Sequence, residues 1–330
     1  MGADMRRRDF IAALGGAVAA WPLPAPAQER VRRVAVLMNV GAEDPDAQLR
    51  LAAFQQGLQP LGWTVGGNLR IDHRWVTGEA DRFRQAAAEL MQLTPDVVVV
   101  AGAAVLAVQR SSRTVPIVFV QAVDPVGAGF VTSLARPSGN ATGFMQFEYS
   151  LAGKWLQLLR EIAPGVNRVG LLRDPATPAG IGQWAALQVA TEPTALELST
   201  LSVRDAREIE RGIAAFASEP NGGLIVAVGG SGAVNRQAII ENIARHRMPA
   251  VYPYRYMAAD GGLISYGIDL IEHYRQAAGY VDRILKGAKP GDLPVQRPTK
   301  YLLTINLKTA KALGIAMPPS LITRADEVIE

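Results

Sequence analysis

The chain has 330 residues, 34 Lys and Arg against 30 Asp and Glu, 49% apolar residues and no Cys. The apolar fraction excludes global disorder, and the missing Cys excludes disulfides, thiolate metal sites, a Cys nucleophile and an acylated Cys anchor. Three scattered His (His73, His246, His273) and a net charge of only +4 argue against a His-rich metal site and against a concentrated nucleic-acid face.

Residues 1–27 read as an export signal. Arg6-Arg7-Arg8-Asp9-Phe10-Ile11 carries the Arg-Arg-x-Phe-Ile core of a twin-arginine element, an apolar Ala/Gly-rich run follows, and Ala25-Pro26-Ala27 is an A-x-A cleavage pattern. The run of about eleven apolar residues is too short for a membrane anchor, which needs about 20. Arg6 stands where a Ser or Thr usually precedes the pair, so export itself is better specified than its route. A soluble periplasmic protein without a lipid anchor is the expectation.

Beyond residue 30, strands and helices alternate. A β-branched run at 31–38 predicts a buried strand, and 46–61 an amphipathic helix on Leu49, Ala52, Ala53, Leu58 and Leu61, stopped near Gly62. A strand at 69–76, a helix at 79–93, an almost pure valine strand at 96–101, a short helix at 103–112 and a strand at 116–120 follow. The pattern then restarts. Val166-Asn167-Arg168-Val169-Gly170-Leu171-Leu172 repeats the Val-x-Arg-Val-x-x-Leu of Val31 to Leu37, 135 residues later (166 against 31). Met248-Pro249-Ala250-Val251-Tyr252 echoes Val115-Pro116-Ile117-Val118-Phe119 at a nearly equal offset, 133 residues. Strands at 166–173, 196–203, 224–228, 250–252 and 263–267 interleave with helices at 179–190, 204–218, 234–246 and 270–286; a Pro-rich linker at 289–294 precedes a last strand and helix at 301–306 and 307–313. The fold class is therefore α/β: one parallel-sheet lobe built twice, giving two doubly wound lobes with a cleft between them.

Ligands of open parallel sheets bind beyond the carboxyl ends of the strands. In the first lobe those ends carry Asn39 and Gly41, the small-residue turn at Ala103 and Ala104, and Asp124 with Pro125. In the second they carry Asp174, the Gly229-Gly230-Ser231 turn, and Tyr252 and Tyr254. The turns into helices at 103–104 and 229–231 offer backbone N–H groups to an anion, and the tyrosines offer an apolar cover, with Phe147 a further candidate. Each has a structural alternative: Gly229 to Ser231 as a plain turn, Tyr252 and Tyr254 as cover over the lobe itself, Asp124 as a cap or turn residue. No catalytic residue, metal ligand or cofactor site is expected. G-x-S-x-G, H-E-x-x-H, the P-loop and a G-x-G-x-x-G after either first strand are all missing. His73 lies inside a strand pattern and His246 in a basic helix end, both structural placements.

Longer motifs carry a resemblance. Val123-Asp124-Pro125-Val126-Gly127-Ala128-Gly129, the stretch Leu134-Ala135-Arg136-Pro137-Ser138-Gly139-Asn140-Ala141-Thr142-Gly143, and Ile305-Asn306-Leu307-Lys308-Thr309-Ala310-Lys311-Ala312-Leu313-Gly314-Ile315 resemble substrate-binding proteins of ABC importers. So do Pro318-Pro319-Ser320-Leu321 and Arg324-Ala325-Asp326-Glu327-Val328-Ile329. The likeness is to the type I periplasmic binding fold, in the branch that includes tryptophan- and tyrosine-binding members. It implies two lobes joined by crossover strands, with crossings near 141–151, 266–269 and 293–301. The first lobe would hold 31–145 plus 268–292, and the second 146–267 plus 293–330. It also implies a hinged clamp that passes a small organic ligand to a permease and ATPase complex in the inner membrane. A monomer without nucleic-acid partners is expected. The family's usual Ala-Thr-Pro after the valine strand is Gly102-Ala103-Ala104 here, and Tyr252-Pro253-Tyr254-Arg255 replaces the usual small or acidic residues. With these departures the family's amino-acid specificity does not carry over, and the expected ligand is a small aromatic or carboxylate-bearing molecule, amino acids among the candidates. Two rival classes are a periplasmic binding protein that reports to a membrane sensor, and a secreted two-lobed α/β enzyme. Neighbouring permease genes would distinguish the first; the poverty of nucleophile and His constellations counts against the second.

Overall fold

The computed structural model describes residues 30–77, 80–227 and 229–330. The export signal lies outside the described residues. The first lobe begins with β1 (Arg32–Met38), α1 (Pro45–Leu58), β2 (Leu69–Trp75), α2 (Ala80–Gln92) and β3 (Val97–Ala101). It continues with α3 (Val105–Ser111), β4 (Ile117–Val123) and β5 (Ala141–Phe147). The five strands are all parallel, in the order β2-β1-β3-β4-β5. The valine strand β3 shows why the sequence reads as it does. Val97, Val99 and Ala101 enter one apolar cluster, Val98 and Val100 the cluster on the opposite face, and none is exposed. With both faces covered, alternation gives way to a continuous apolar run.

The second lobe repeats the plan. Its elements are α4 (Leu151–Ile162), β6 (Arg168–Arg173), α5 (Pro178–Thr191), β7 (Glu197–Ser202), α6 (Ala206–Ala217) and β8 (Gly222–Val226). Next come α7 (Gly230–Val234), α8 (Arg236–Arg245), β9 (Ala250–Tyr252), α9 (Arg255–Ala259) and β10 (Ile264–Gly267). The strands run β7-β6-β8-β9-β10, position for position the order of the first lobe. The repeat read from Val31 and Val166 is thus a repeat of topology. The second sheet extends further, through β11 (Leu302–Asn306), antiparallel to β10, and β12 (Glu327–Ile329). Between those strands lie α11 (Leu307–Leu313) and α12 (Pro319–Arg324).

Each lobe borrows a helix from the other's chain segment. The chain leaves β5 of the first lobe and enters α4, whose Trp155, Leu158 and Leu159 lie in the second-lobe core. It leaves β10 of the second lobe and enters α10 (Leu270–Leu285), which returns Tyr274, Ala277, Ala278 and Val281 to the first-lobe core. Both crossing strands need a glycine at a close approach. A Cβ on Gly143 of β5 would stand 1.9 Å from the Phe119 carbonyl oxygen, and one on Gly267 of β10 would stand 1.8 Å from that of Pro253. The third crossing lies beyond Gln296. Leu293 and Val295 pack in first-lobe clusters, and the Gln296 main chain bonds to Gly143 and Met145.

The buried face of α1 differs from the sequence expectation. Ala47, Arg50, Leu51, Phe54 and Leu58 turn inward, while Leu49 is 54% exposed. An arginine occupies a core-facing position of the helix, and that choice of phase shapes the site.

Candidate ligand-binding site

The carboxyl ends of the first-lobe strands carry mostly polar side chains. After β1, Asn39 is half-buried, and its Oδ1 has no hydrogen-bond partner. A Cβ on Gly102 would stand 3.3 Å from the Asn39 Nδ2, and Gly102 itself has a positive φ of 52°, which favours glycine. Gly41 faces open space where a side chain would stand. At the loop's end Asp44 caps α1, accepting from the Asp46 N–H at 3.0 Å, with Pro45 in the first turn. Beyond β3, Gly102–Ala104 forms a tight 3-10 turn into the seven-residue α3, and Ala104 is fully buried. Along β4, Gln121 has a positive φ and is 6% exposed, and its Oε1 accepts from the Tyr274 hydroxyl at 3.4 Å. Asp124, also at positive φ, accepts from Gly127 N–H at 2.9 Å and so organises the turn after β4. The buried Pro125 carbonyl accepts from Phe130 and Val131 within the same turn.

The second lobe contributes a pre-paired acid and a group of tyrosines. Asp174, after β6, accepts from Ala176 N–H through Oδ1 and from the Ser231 hydroxyl through Oδ2 at 2.7 Å. That contact ties the β6 loop to the start of α7. Gly229 also faces open space, and its N–H donates to the Tyr254 hydroxyl. Tyr254, at the start of α9, accepts a second bond from Gln146 Nε2 at 2.6 Å. Burial pushes the Tyr254 phenol up to about 12, against the opposing pull of Gln146, Arg50 and Gly229. Its ring stacks on Tyr256 at 5.1 Å, 13° from parallel. Tyr252 and Phe147 sit deeper. Tyr252, 1% exposed, ends β9 with its ring against Gly262, and Phe147, 2% exposed, stacks on Trp155 in the second-lobe core. Gln146, Phe147, Trp155, Pro253, Tyr254 and Gly267 enclose a void too small for water where that core meets the crossing strands.

The two lobes meet through charged and aromatic groups. Arg236, at the start of α8, reaches across to Asp44 at 2.6 Å while holding Asp260 of its own lobe at 2.9 Å. Tyr256 lies between two guanidiniums, Arg236 at 5.2 Å from its ring centre and Arg50 of the first lobe at 5.7 Å. Arg50 is 2% exposed and paired with Asp46 one turn earlier. Burial disfavours its charge, but Asp46, Tyr256 and Tyr274 together outweigh that and keep it protonated. These contacts describe lobes closed on one another.

Of the residues expected from sequence, the structure places Asn39, Gly41, Asp124, Gly229 and Tyr254 on loops at the carboxyl ends of the strands, with Ser231 in the first turn of α7 beside them. The backbones of Ala103 and Gly230 share that position. Ala104, Pro125, Phe147 and Tyr252 sit inside the lobes. The sequence expectations omit Arg50, Gln121, Gln146 and Tyr256, and the Asp44–Arg236 pair. Arg50 leaves the clearest signal, a lone charge in phase with Ala47, Leu51 and Phe54. Among the described residues no group of three or more His, Cys, Asp or Glu is arranged to hold a metal ion, and no helix is long and apolar enough to cross a membrane. The arrangement suits a small molecule with both apolar and polar parts, held from two sides.

The comparisons with known proteins agree with one another. Residues 33–329 match the family model described as ABC transporter substrate binding protein. A tyrosine-binding protein of Clostridioides difficile is 22% identical over 289 residues, covering 84% of this chain and 81% of that one. A conserved domain protein from Vibrio cholerae superposes with a TM-score of 0.84 at 26% identity, over 91% of this chain and all of that one (100%). An ABC domain from Streptococcus pneumoniae, solved in complex with L-Trp, superposes with a TM-score of 0.83 at 25% identity, over 90% of this chain and 99% of that one.

Proposed function

This chain belongs to the ABC transporter substrate binding protein family, and from that premise we propose that it is the exported capture component of an importer. It closes on a small organic ligand in the cleft and presents the closed form to a permease and ATPase complex, without catalysis of its own. The single observation that carries this reading is the set of polar contacts spanning the lobes: Asp44 to Arg236 at 2.6 Å and Gln146 to Tyr254 at 2.6 Å. They join groups near the carboxyl ends of both sheets, so closing brings together the two half-sites where a ligand would lie. A ligand shifts such an equilibrium only by its differential affinity for the closed form, so productive contacts must come from both lobes.

The groups at the carboxyl ends of the strands support a ligand with aromatic and polar parts. The stacked rings of Tyr254 and Tyr256 bring aromatic character there, and Asn39, Asp124, Ser231 and the backbone at Ala103 and Gly229 bring polar contacts. Relatives that bind tyrosine or hold L-Trp support an aromatic amino acid or a similar aromatic carboxylate. Periplasmic residence, cleavage after residue 27 and a monomeric state belong to the same proposal.

Native mass spectrometry of the protein purified without added ligand, alongside a thermal-shift screen of amino acids and aromatic acids, tests it. The expected result is a retained small molecule, or a melting temperature raised by mass action. A preparation with no retained mass and no stabilising compound across a broad library of small organic ligands would defeat the capture reading.

A further inference from the structure

Two atoms of the first lobe are buried without a hydrogen-bond partner beside the cleft, and they are of opposite type. Arg50 Nε is a donor and Asn39 Oδ1 an acceptor. An orphaned donor on a buried cation is costly, and buried polar groups in native proteins nearly always find a partner. Arg50 has five N–H groups; Asp46 engages Nη2 and leaves the Nε–H free.

The two atoms belong to one continuous patch. Gly102 joins Asn39 to the Gln121 backbone, the Gln121 side chain accepts from Tyr274, and Tyr274 and Tyr254 both interact electrostatically with Arg50. Over the same guanidinium lies Tyr256 of the second lobe. The charges at the strand ends are mixed: Asp44, Asp46, Asp124, Asp174 and Asp260 against Arg50, Arg236 and Arg173, the last of which ends β6 with its guanidinium 5.8 Å from the Trp184 ring centre. Arg236 is already held by Asp44 and Asp260, which leaves an anionic group Arg50 in the first lobe and Arg173 in the second, and of these Arg50 is the one that faces an aromatic ring of the opposite lobe.

We propose that Arg50 is the specificity-determining residue of the cleft, its free Nε–H donating to a carboxylate of the ligand, while Asn39 Oδ1 accepts from an N–H or O–H donor of the same molecule. This rests on the capture reading and adds to it which side chain reads which end of the ligand. Because Arg50 also faces Tyr256 across the cleft, a carboxylate bound there is sensed by both lobes. Lys cannot replace the planar fork, so the charge alone does not suffice.

The test uses L-tryptophan and L-tyrosine, each beside its carboxamide and its deaminated acid, with affinities from isothermal calorimetry on the mature protein. For wild type, the carboxamide should bind about 10- to 100-fold more weakly than the amino acid, the loss expected for a hydrogen bond to a charged group. The deaminated acid should lose less, about tenfold, the effect of leaving a neutral acceptor unpaired. Arg50→Gln should bind amino acid and carboxamide alike, and Arg50→Lys should fall between. A wild type that binds the carboxamide as tightly as the amino acid overturns the assignment without any variant being needed. So does an Arg50→Gln protein that keeps the full preference for the carboxylate. Failure of all six compounds to bind also overturns it, and a small molecule retained in the same preparation would then leave the capture reading standing.

Discussion

The two lobes share a strand order yet differ in how tightly their equivalent helices pack. α1 and α10 flank the first lobe, and α5 and α4 hold the corresponding places in the second. In the first lobe Gly57 of α1 sits so close to α10 that a Cβ would stand 2.7 Å from the Arg275 carbonyl oxygen and 2.9 Å from the Ala278 Cβ. In the second, a Cβ on Gly153 of α4 would meet only the Ala190 Cβ, at 3.9 Å. A surface groove of about 450 Å³ opens there, lined by Gly153, Leu156, Arg160, Pro164 and Ala190. α5 also leaves Ile181 55% and Val189 70% exposed. Equal topology therefore does not fix equal packing. Both pairs carry a glycine at the contact, so a small residue permits the close approach of two helices without enforcing it.

The largest effects should come from the feature the lobes have in common, the glycine in each crossing strand. Gly143→Val and Gly267→Val each place a side chain on a backbone oxygen, and each should cost more than about 4 kcal/mol. Circular dichroism melts should find neither variant cooperatively folded. One tolerated and one lethal variant would break the equivalence of the two crossings.

Next in size is an acid sensitivity confined to the first lobe. His273 of α10 is 7% exposed, and its Nδ1 has no partner. Burial holds its pKa down at about 4, against the opposing pull of Asp269. Unfolded, it titrates near 6.5, so between those values the unfolded chain binds the extra proton. Stability is then complete above about pH 6.5 and falls as pH drops toward 4, by up to about 3 kcal/mol. Denaturant melts from pH 7 to pH 4 should show this fall, and His273→Leu should flatten that part of the curve. An unchanged slope would assign the acid response elsewhere.

The helix pairs supply the direct contrast. Gly57→Ala should destabilise by about 1–3 kcal/mol through overpacking. Gly153→Ala should stabilise by about 0.5–1 kcal/mol, because a helix-interior glycine is replaced without a clash. The same sign for both in urea titrations would show that the packing difference has no energetic weight.

Smallest is the Asp44–Arg236 pair between the lobes. Asp44→Asn should weaken closure by about 0.5–1 kcal/mol, a few-fold in ligand affinity, and the difference should shrink in high salt. Calorimetry at two ionic strengths checks it.

The sequence made the alternation, the duplication and the strand ends legible because buried parallel strands write themselves as continuous Val, Ile and Leu runs. It hid what depends on distant partners. The helix at 151–162 was missing from the expectations although Leu151, Trp155, Leu158, Leu159 and Ile162 have helical spacing. It follows a strand that belongs to the other lobe, so the local pattern gives no hint of where it packs. Tyr252 and Tyr254 look alike in sequence, two residues apart on a short strand end. Only the position of Gly262 and the reach of Gln146 decide that one fills a core and the other joins a polar network. Arg50 stays hidden because an apolar face drawn through Leu49 leaves no inward position for a charge, whereas Leu49 is the one that faces solvent.

The exchange of helices between lobes also orders events in time. As the chain is made from its amino end, β1 to β5 appear first, but the helix that seals one face of that sheet follows more than a hundred residues later. Until Tyr274, Ala277, Ala278 and Val281 emerge, the apolar surface of Val34, Val36, Phe54 and Leu58 has no lid. The first-born lobe is completed only after strands β6 to β10 of the second have been made.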